Sequence, residues 1–195
     1  MDSARDICGT IQHVLQSRGR TDVSDEFLRL YIGRHLFDLF LDLGYRQEEM
    51  DAMLADYREH YYSREHSLTR VYPGVAETLA RLGGRKSTAT TKGTPGTRAI
   101  LERFGLLSHF DAVEIVLEKD ASTYERMIEQ FKIVKSQGWM VGNSPRSDIN
   151  PALQVGLNAV FIPHSATWEL EKAEIDCGTS KLLILSAFRL LRAHF

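Results

Sequence analysis

Three short polar stretches hold the residue types best suited to chemistry on an anion. Thr90-Thr91-Lys92-Gly93 sets two hydroxyls, and the amides that follow them, just ahead of Pro95. Proline suits the first turn of a helix, and hydroxyls beside a helix start favour a bound anion. Glu118-Lys119-Asp120 offers a lysine able to neutralise phosphate. Gly142-Asn143-Ser144-Pro145-Arg146-Ser147-Asp148 places an amide and a carboxylate five positions apart, oxygen donors of the kind magnesium accepts. Taken singly, each stretch has an ordinary explanation as a turn, a surface lysine or a helix cap. Their order, each after an apolar run, is what singles them out.

The elements that must position them alternate. From about residue 73 the pattern runs helix (75–82, ended by Gly83-Gly84), strand (86–90), helix (from Thr94 as cap and Pro95 to Gly105), strand (111–116) and helix. That last helix has Ser122 and Glu125 as a capping box and turns Tyr124, Met127, Ile128 and Phe131 inward. Strands at 139–142 and 158–162 follow, separated by a helix that Asn150 or Ser147 caps, Pro151 opens and Gly156 ends. Residues 182–185 and 188–191 read as an edge strand and a docking helix. Such alternation is the mark of a parallel sheet covered by helices, whose ligands bind outside the carboxyl ends of the strands. All three polar stretches fall at such ends.

Residues 1–70 read as helices only. Ile7, Ile11, Val14 and Leu15 share one face of a first helix that Gly19 can close. A second helix runs from Ser24 to Gly44 with an unusually wide apolar surface, and a third from about Gln47 to Arg64 carries Met50, Met53, Leu54, Tyr57 and Tyr61 on one stripe.

The whole chain of 195 residues is 43% hydrophobic and 26% charged, and its 24 Lys and Arg against 26 Asp and Glu give a net charge of −2. No broad basic field exists to attract nucleic acid or an anionic membrane, so neither is an expected partner. No apolar run approaches the roughly 20 residues of a membrane helix, and the first residues lack a signal pattern, so a cytoplasmic location is expected. Cys8 and Cys177 stand far apart with no metal-ligand spacing, which suits a reducing compartment without a zinc site.

From Tyr72 onward the text YPGVAETLARLGG, ATTKGTPGTRAILERFGLLSHFD, EKD and MVGNSPRSDINPALQVGLNAVFIP resembles the haloacid dehalogenase superfamily of phosphohydrolases, in particular its phosphoglycolate-phosphatase-like branch. The N-terminal MDSARDICGTIQHVLQSRG is similar to the segment that follows that family's catalytic loop and leads into a helical cap. The resemblance implies an α/β fold, with a Rossmann-like parallel sheet in a core domain at 71–195 and a helical cap domain at 1–70. It also implies a phosphatase that cleaves a small phosphorylated metabolite through an aspartyl-phosphate with Mg2+. Thr90 matches the residue that hydrogen-bonds the transferring phosphoryl group, with the Thr91 amide beside it. Lys119 matches the lysine that stabilises the charge on nucleophile and phosphate. Asp148 matches the second acidic position of the metal motif, and Asn143 stands where members carry a carboxylate, leaving a neutral amide toward metal and substrate. Gly33-Arg34 resembles the cap loop that faces the substrate, where Arg34 can bind a carboxylate or distal phosphate.

One departure is large. The family attacks with the first aspartate of an Asp-x-Asp-Gly-Thr motif, and no Asp-x-Asp occurs in these residues. The expectation is a chain recorded from an internal methionine, without its central first strand and nucleophile, and weak or inactive as it stands. Asp2 and Asp6 correspond to positions after the catalytic loop and are not taken as substitutes. The alternative is a catalytically dead phosphate-binding or interaction module; dehalogenation, which needs no magnesium, fits Asp148 less well. Without a central strand, those ending at Thr90 and Gly142 must either pair directly or leave a gap of about 10 Å, twice the usual strand spacing. His60, His66, His109 and His164 are expected in solvated or structural roles.

Overall fold

The computed structural model describes residues 1–32, 34–163 and 174–195; Gly33 and His164, singled out above, lie outside the described residues. The chain divides into two compact units, with the boundary after Tyr72.

The first unit is helical. Helix α1 (Ala4–Gln16) buries Ile11, Val14 and Leu15, as its periodicity predicts, and α4 (Met50–Ser63) packs against it after a 3-10 turn at Gln47–Glu49. The helix expected over 24–44 is instead two, α2 (Asp25–Arg29) and α3 (Leu36–Asp42). The Ser24 hydroxyl accepts from Phe27 N at 3.1 Å and starts α2 where the sequence places it. The break explains the wide apolar surface: one straight helix would leave part of it in water, whereas two short ones bring Leu28, Leu39 and Phe40 all into one core with Ile11, Met50 and Met53.

The second unit alternates helix and parallel strand. Its elements are α5 (Val75–Arg81), β1 (Ser87–Thr90), α6 (Thr94–Arg103), β2 (Ala112–Ile115), α7 (Ala121–Phe131), β3 (Trp139–Gly142), α8 (Asn150–Gln154), β4 (Asn158–Phe161) and β5 (Leu182–Ile184). The chain ends in a 3-10 helix at Phe188–Ala193 that buries Leu191, rather than an α-helix. All pairings are parallel, and they fall into two sheets, β1-β2 and β3-β4-β5. This is the α/β parallel-sheet fold expected, with the sheet interrupted between β1 and β3. Of the two outcomes foreseen for those strands, direct pairing is not the one adopted.

The burial follows the interruption. Every residue of β4, flanked on both sides, is buried, whereas those of β1 and β3 are half-buried or exposed. What the two sheets share is α7, whose Tyr124, Met127 and Ile128 form a cluster against which both Ala89 of β1 and Met140 of β3 pack. Among the described residues, no helix is long and apolar enough to cross a membrane.

Candidate active site at the carboxyl ends of the strands

At the end of β1, Thr90 pairs in register with Ile115, and its carbonyl accepts from Val116 N at 2.9 Å. The Thr90 hydroxyl oxygen accepts from Lys92 N at 3.1 Å, a tight side-chain turn that leaves its proton to be given elsewhere. The Thr97 hydroxyl donates to Lys92 O at 2.8 Å and ties the same loop to α6. The cap of α6 is Gly93, not Thr94, because the helix begins one residue earlier than expected. Thr91 is exposed beside the helix start.

The loop after β2 is held just as closely. Asp120, not Ser122, caps α7: its backbone is extended, and its carboxylate accepts from Thr123 N at 2.8 Å and Ser122 Oγ at 3.0 Å. The Thr123 N–H bond first, then the Ser122 hydroxyl, hold Asp120 below the usual carboxylate range. The Thr123 hydroxyl donates to Glu118 O at 3.0 Å, so Lys119 sits between two fixed neighbours.

After β3 the backbone makes a π-helical turn, Pro145–Ile149. Ser144 caps it, rather than Ser147 or Asn150: its hydroxyl accepts from Ser147 N at 3.1 Å, and its carbonyl from Asp148 N at 2.9 Å and Ile149 N at 3.1 Å. Such turns add a residue to a helical repeat and often occur at functional sites. Here the turn carries Asp148 back over the strand end, where Oδ2 accepts from Asn143 N at 3.0 Å and Ser144 N at 3.1 Å. Gly142 makes room for it, since a Cβ at that position would fall 2.3 Å from Asp148 Cβ.

The two loops meet. Lys119 Nζ donates to Asp148 Oδ1 at 2.6 Å, with the carboxylate side chain 7% exposed and the lysine 20%. A charge-assisted bond of this length, between groups from two different sheets, fixes the ammonium at the strand ends and leaves it two further protons to give. The structure thus brings Lys119, Asp148 and Asn143 together and sets Thr90 and Thr91 at the end of the strand adjoining β2. Arg34 stands in the helical unit, its guanidinium over the Tyr31 ring at 5.4 Å and 4.0 Å from Asp38.

Asp148 brings one carboxylate whose two oxygens already have partners, and Asn143 a neutral amide. Among the described residues no group of three or more acids, histidines or cysteines gathers to hold a metal. Magnesium needs near-octahedral oxygen coordination, so these two residues do not make up its site by themselves. Asp120 and Asp148 are both committed to hydrogen bonds, so neither is a free carboxylate nucleophile. Asp2 and Asp6 are committed as well. Asp2 accepts from Ala4 N at 3.1 Å and exchanges backbone bonds with Arg70, and Asp6 is sealed inside the helical unit.

Tyr124 was legible only as a core residue. It is buried, and its hydroxyl donates to Ser147 O at 3.0 Å. Burial, then the charges of Asp148 and Asp120, push that hydroxyl well above the usual tyrosine range, so it remains a donor. No periodicity reveals such a bond, because its acceptor is a main-chain carbonyl 23 residues away.

A family model described as haloacid dehalogenase-like hydrolase matches residues 1–162. The chain is 29% identical over 195 residues to Tyrosine-protein kinase PtkA of Mycobacterium tuberculosis, covering 95% of this chain and 65% of that protein. It therefore spans just under two thirds of the length of that relative. It is 25% identical over 215 residues to the phosphoglycolate phosphatase of Mesorhizobium japonicum, covering 99% of this chain and 92% of that one. Among solved structures, a haloacid dehalogenase-like family hydrolase from Streptococcus pneumoniae superposes with a TM-score of 0.80 at 14% identity, over 100% of this chain and 92% of that chain. That likeness concerns the fold.

Proposed function

Because the chain belongs to the haloacid dehalogenase-like hydrolase family, we propose that it is a phosphatase acting on a small phosphate monoester of the phosphoglycolate type, with residues 1–70 as cap and 71–195 as core. The observation that carries this reading is the 2.6 Å Lys119–Asp148 pair at the carboxyl ends of the strands, in a unit where Thr90 closes the neighbouring strand. The Lys119 ammonium and the Thr90 hydroxyl donate to the non-bridging oxygens of the phosphoryl group, with the Thr91 amide beside them. Arg34 of the cap takes a carboxylate or distal phosphate of the substrate. Asp148 and Asn143 are the donors this chain offers to Mg2+, which when bound offsets phosphoryl charge. The attacking aspartate is taken from chain preceding Met1. Two free cysteines among the described residues suit a cytoplasmic setting. The relatives' names, a tyrosine-protein kinase and a phosphoglycolate phosphatase, have the handling of a phosphoryl group in common.

One observation favours a second reading, a phosphate-binding module without turnover: among the described residues, the strand ends hold anion donors but no uncommitted aspartate. Phosphate release from a panel of monoesters, phosphoglycolate and phosphotyrosine included, separates the two when this chain is compared with an upstream-extended version. The extended protein is expected to hydrolyse at least one ester, and the chain as written to be slower by on the order of a millionfold. Lys119→Met in the extended protein should cost about a hundredfold to a thousandfold in kcat. An extended protein that releases no phosphate, while inorganic phosphate still raises the melting temperature, selects the second reading. Neither release nor binding sinks both.

A further inference from the structure

The two sheets of the strand unit guard their edges differently. β2 carries Glu114, whose carboxylate accepts from Gln130 Nε2 at 3.4 Å, so an acid stands on an edge strand of the first sheet. Charge on an edge strand discourages pairing with another chain. β5 closes the second sheet with Leu182-Leu183-Ile184, which holds neither charge nor proline, and Ile184 is 64% exposed. The main chain of β5 is only half used. Ala159 N donates to Lys181 O at 2.8 Å and Leu185 N to Phe161 O at 2.9 Å, with Val160 in register with Leu183. In a parallel ladder, alternate residues turn their N–H and C=O toward the same neighbour. Lys181, Leu183 and Leu185 therefore bond toward β4, and the N–H and C=O groups of Leu182 and Ile184 face away from it. Among the described residues, those groups meet no other strand.

The geometry points to a second copy of this chain as the occupant of that edge: two β5 strands pair antiparallel about a two-fold axis at Leu183. In that register Leu182 of each copy lies opposite Ile184 of the other, as a hydrogen-bonded pair that exchanges both N–H and C=O groups. The outward groups of one copy are satisfied by the same set on its partner, with none left over. Leu182 and Ile184 also share one side of the sheet, so the exposed Ile184 of each copy is covered by the partner's Leu182. Charge selects the direction. Lys181 is exposed just before the strand. Parallel pairing in register would set the two ammoniums about 5 Å apart, whereas the antiparallel pair separates them by four residue positions, about 14 Å. That exceeds the screening length of about 8 Å at physiological salt, so the two lysines do not oppose the pairing. A strand of 3 residues makes a small interface, and the dimer is a weak, concentration-dependent one.

Sedimentation velocity of the full chain, from about 5 to about 500 µM, should show a monomer that passes into a dimer as concentration rises. Ile184→Lys, a change at an exposed side chain, should abolish that passage. Residue-resolved amide exchange carries the signature of strand pairing: at the upper concentration Leu182 and Ile184 should exchange about tenfold more slowly or better, while Leu183, already turned toward β4, stays unchanged. A chain that remains monomeric throughout overturns the inference, as does a dimer that Ile184→Lys leaves intact. Full protection of Leu182 and Ile184 at the lower concentration overturns it as well, because the edge is then covered from within one molecule. If Ile184→Lys fails to fold, the exchange pattern of the unaltered chain decides: slowing confined to Leu182 and Ile184 upholds the pairing, and equal slowing across all three residues refutes it. No readout involves phosphate or turnover, so the outcome is independent of the phosphatase reading.

Discussion

At the foot of α1, Asp6 is fully buried and is reached from 62 and 63 residues away: Leu68 N donates to both oxygens at 3.2–3.3 Å and the Thr69 hydroxyl to Oδ2 at 2.6 Å. Arg64 stands 3.4 Å from Oδ1. At the end of β3, Asp148 is nearly as buried, but its N–H donors come from its own turn, four and five residues back, and its cation is in direct contact. The first carboxylate ties distant segments of the helical unit to each other. The second is held locally and spends its charge on orienting a lysine. Depth of burial is the same signal in both; where the donors come from separates a structural acid from one at a site.

The sharpest break between the two regions is stability. Asp6→Ala strands the Thr69 hydroxyl, the Leu68 amide and the Arg64 guanidinium, and should cost about 3–5 kcal/mol in urea unfolding. A loss under about 1 kcal/mol would mean that Asp6 does not tie those segments together. Next come the glycines beside each acid's surroundings. Gly142→Ala drives a Cβ into Asp148 and should cost about 1–3 kcal/mol, with faster hydrogen exchange at Asn143 and Ser144. Gly9→Ala meets only the far end of the flexible Arg64 side chain, at 3.0 Å. The helix preference for alanine, about 1 kcal/mol, should offset that contact and leave stability nearly unchanged. Equal effects at Gly9 and Gly142 would erase the contrast.

The smallest effect is that of pH. His60 of α4 stacks on His13 of α1 at 3.7 Å between ring centroids, and burial first, then His13 and Arg64, lower its proton affinity. The unfolded chain then binds more protons, so the helical unit should lose stability as pH falls through about 6.5, and His60→Gln should flatten that slope. Asp120 works in a different window. Its affinity for a proton is lowered in the folded state, so its contribution to the strand unit is present above the ordinary carboxylate range and lost below about pH 4. Thermal melts across pH 3–8 with both variants, His60→Gln and Asp120→Asn, check the two windows.

The sequence showed the alternation from residue 73 and placed all five strands to within about a residue or two at each end, because short β-rich runs between glycines and prolines have few alternatives. It marked Thr90, Lys119, Asn143 and Asp148 as strand-end residues, which follows from the same periodicity. Caps were harder. Asp120, Ser122 and Glu125 all have capping chemistry, as do Ser144, Ser147 and Asn150, and the choice depends on which backbone is extended where the helix starts. The division of 24–44 into two helices, the Asp6 network and the His13–His60 stack are long-range outcomes of packing, for which local pattern carries no signal.

The interruption between β1 and β3 bears on how the strand unit comes apart. Hydrogen-bond ladders transmit cooperativity along a sheet, and here the ladder stops; among the described residues, a floor of side chains on α7 and the Lys119–Asp148 ammonium–carboxylate clasp cross it. Each sheet can then fray on its own schedule, with α7 as the splint common to both. Loosening of that one helix releases the two halves together and with them the alignment of Lys119 and Asp148.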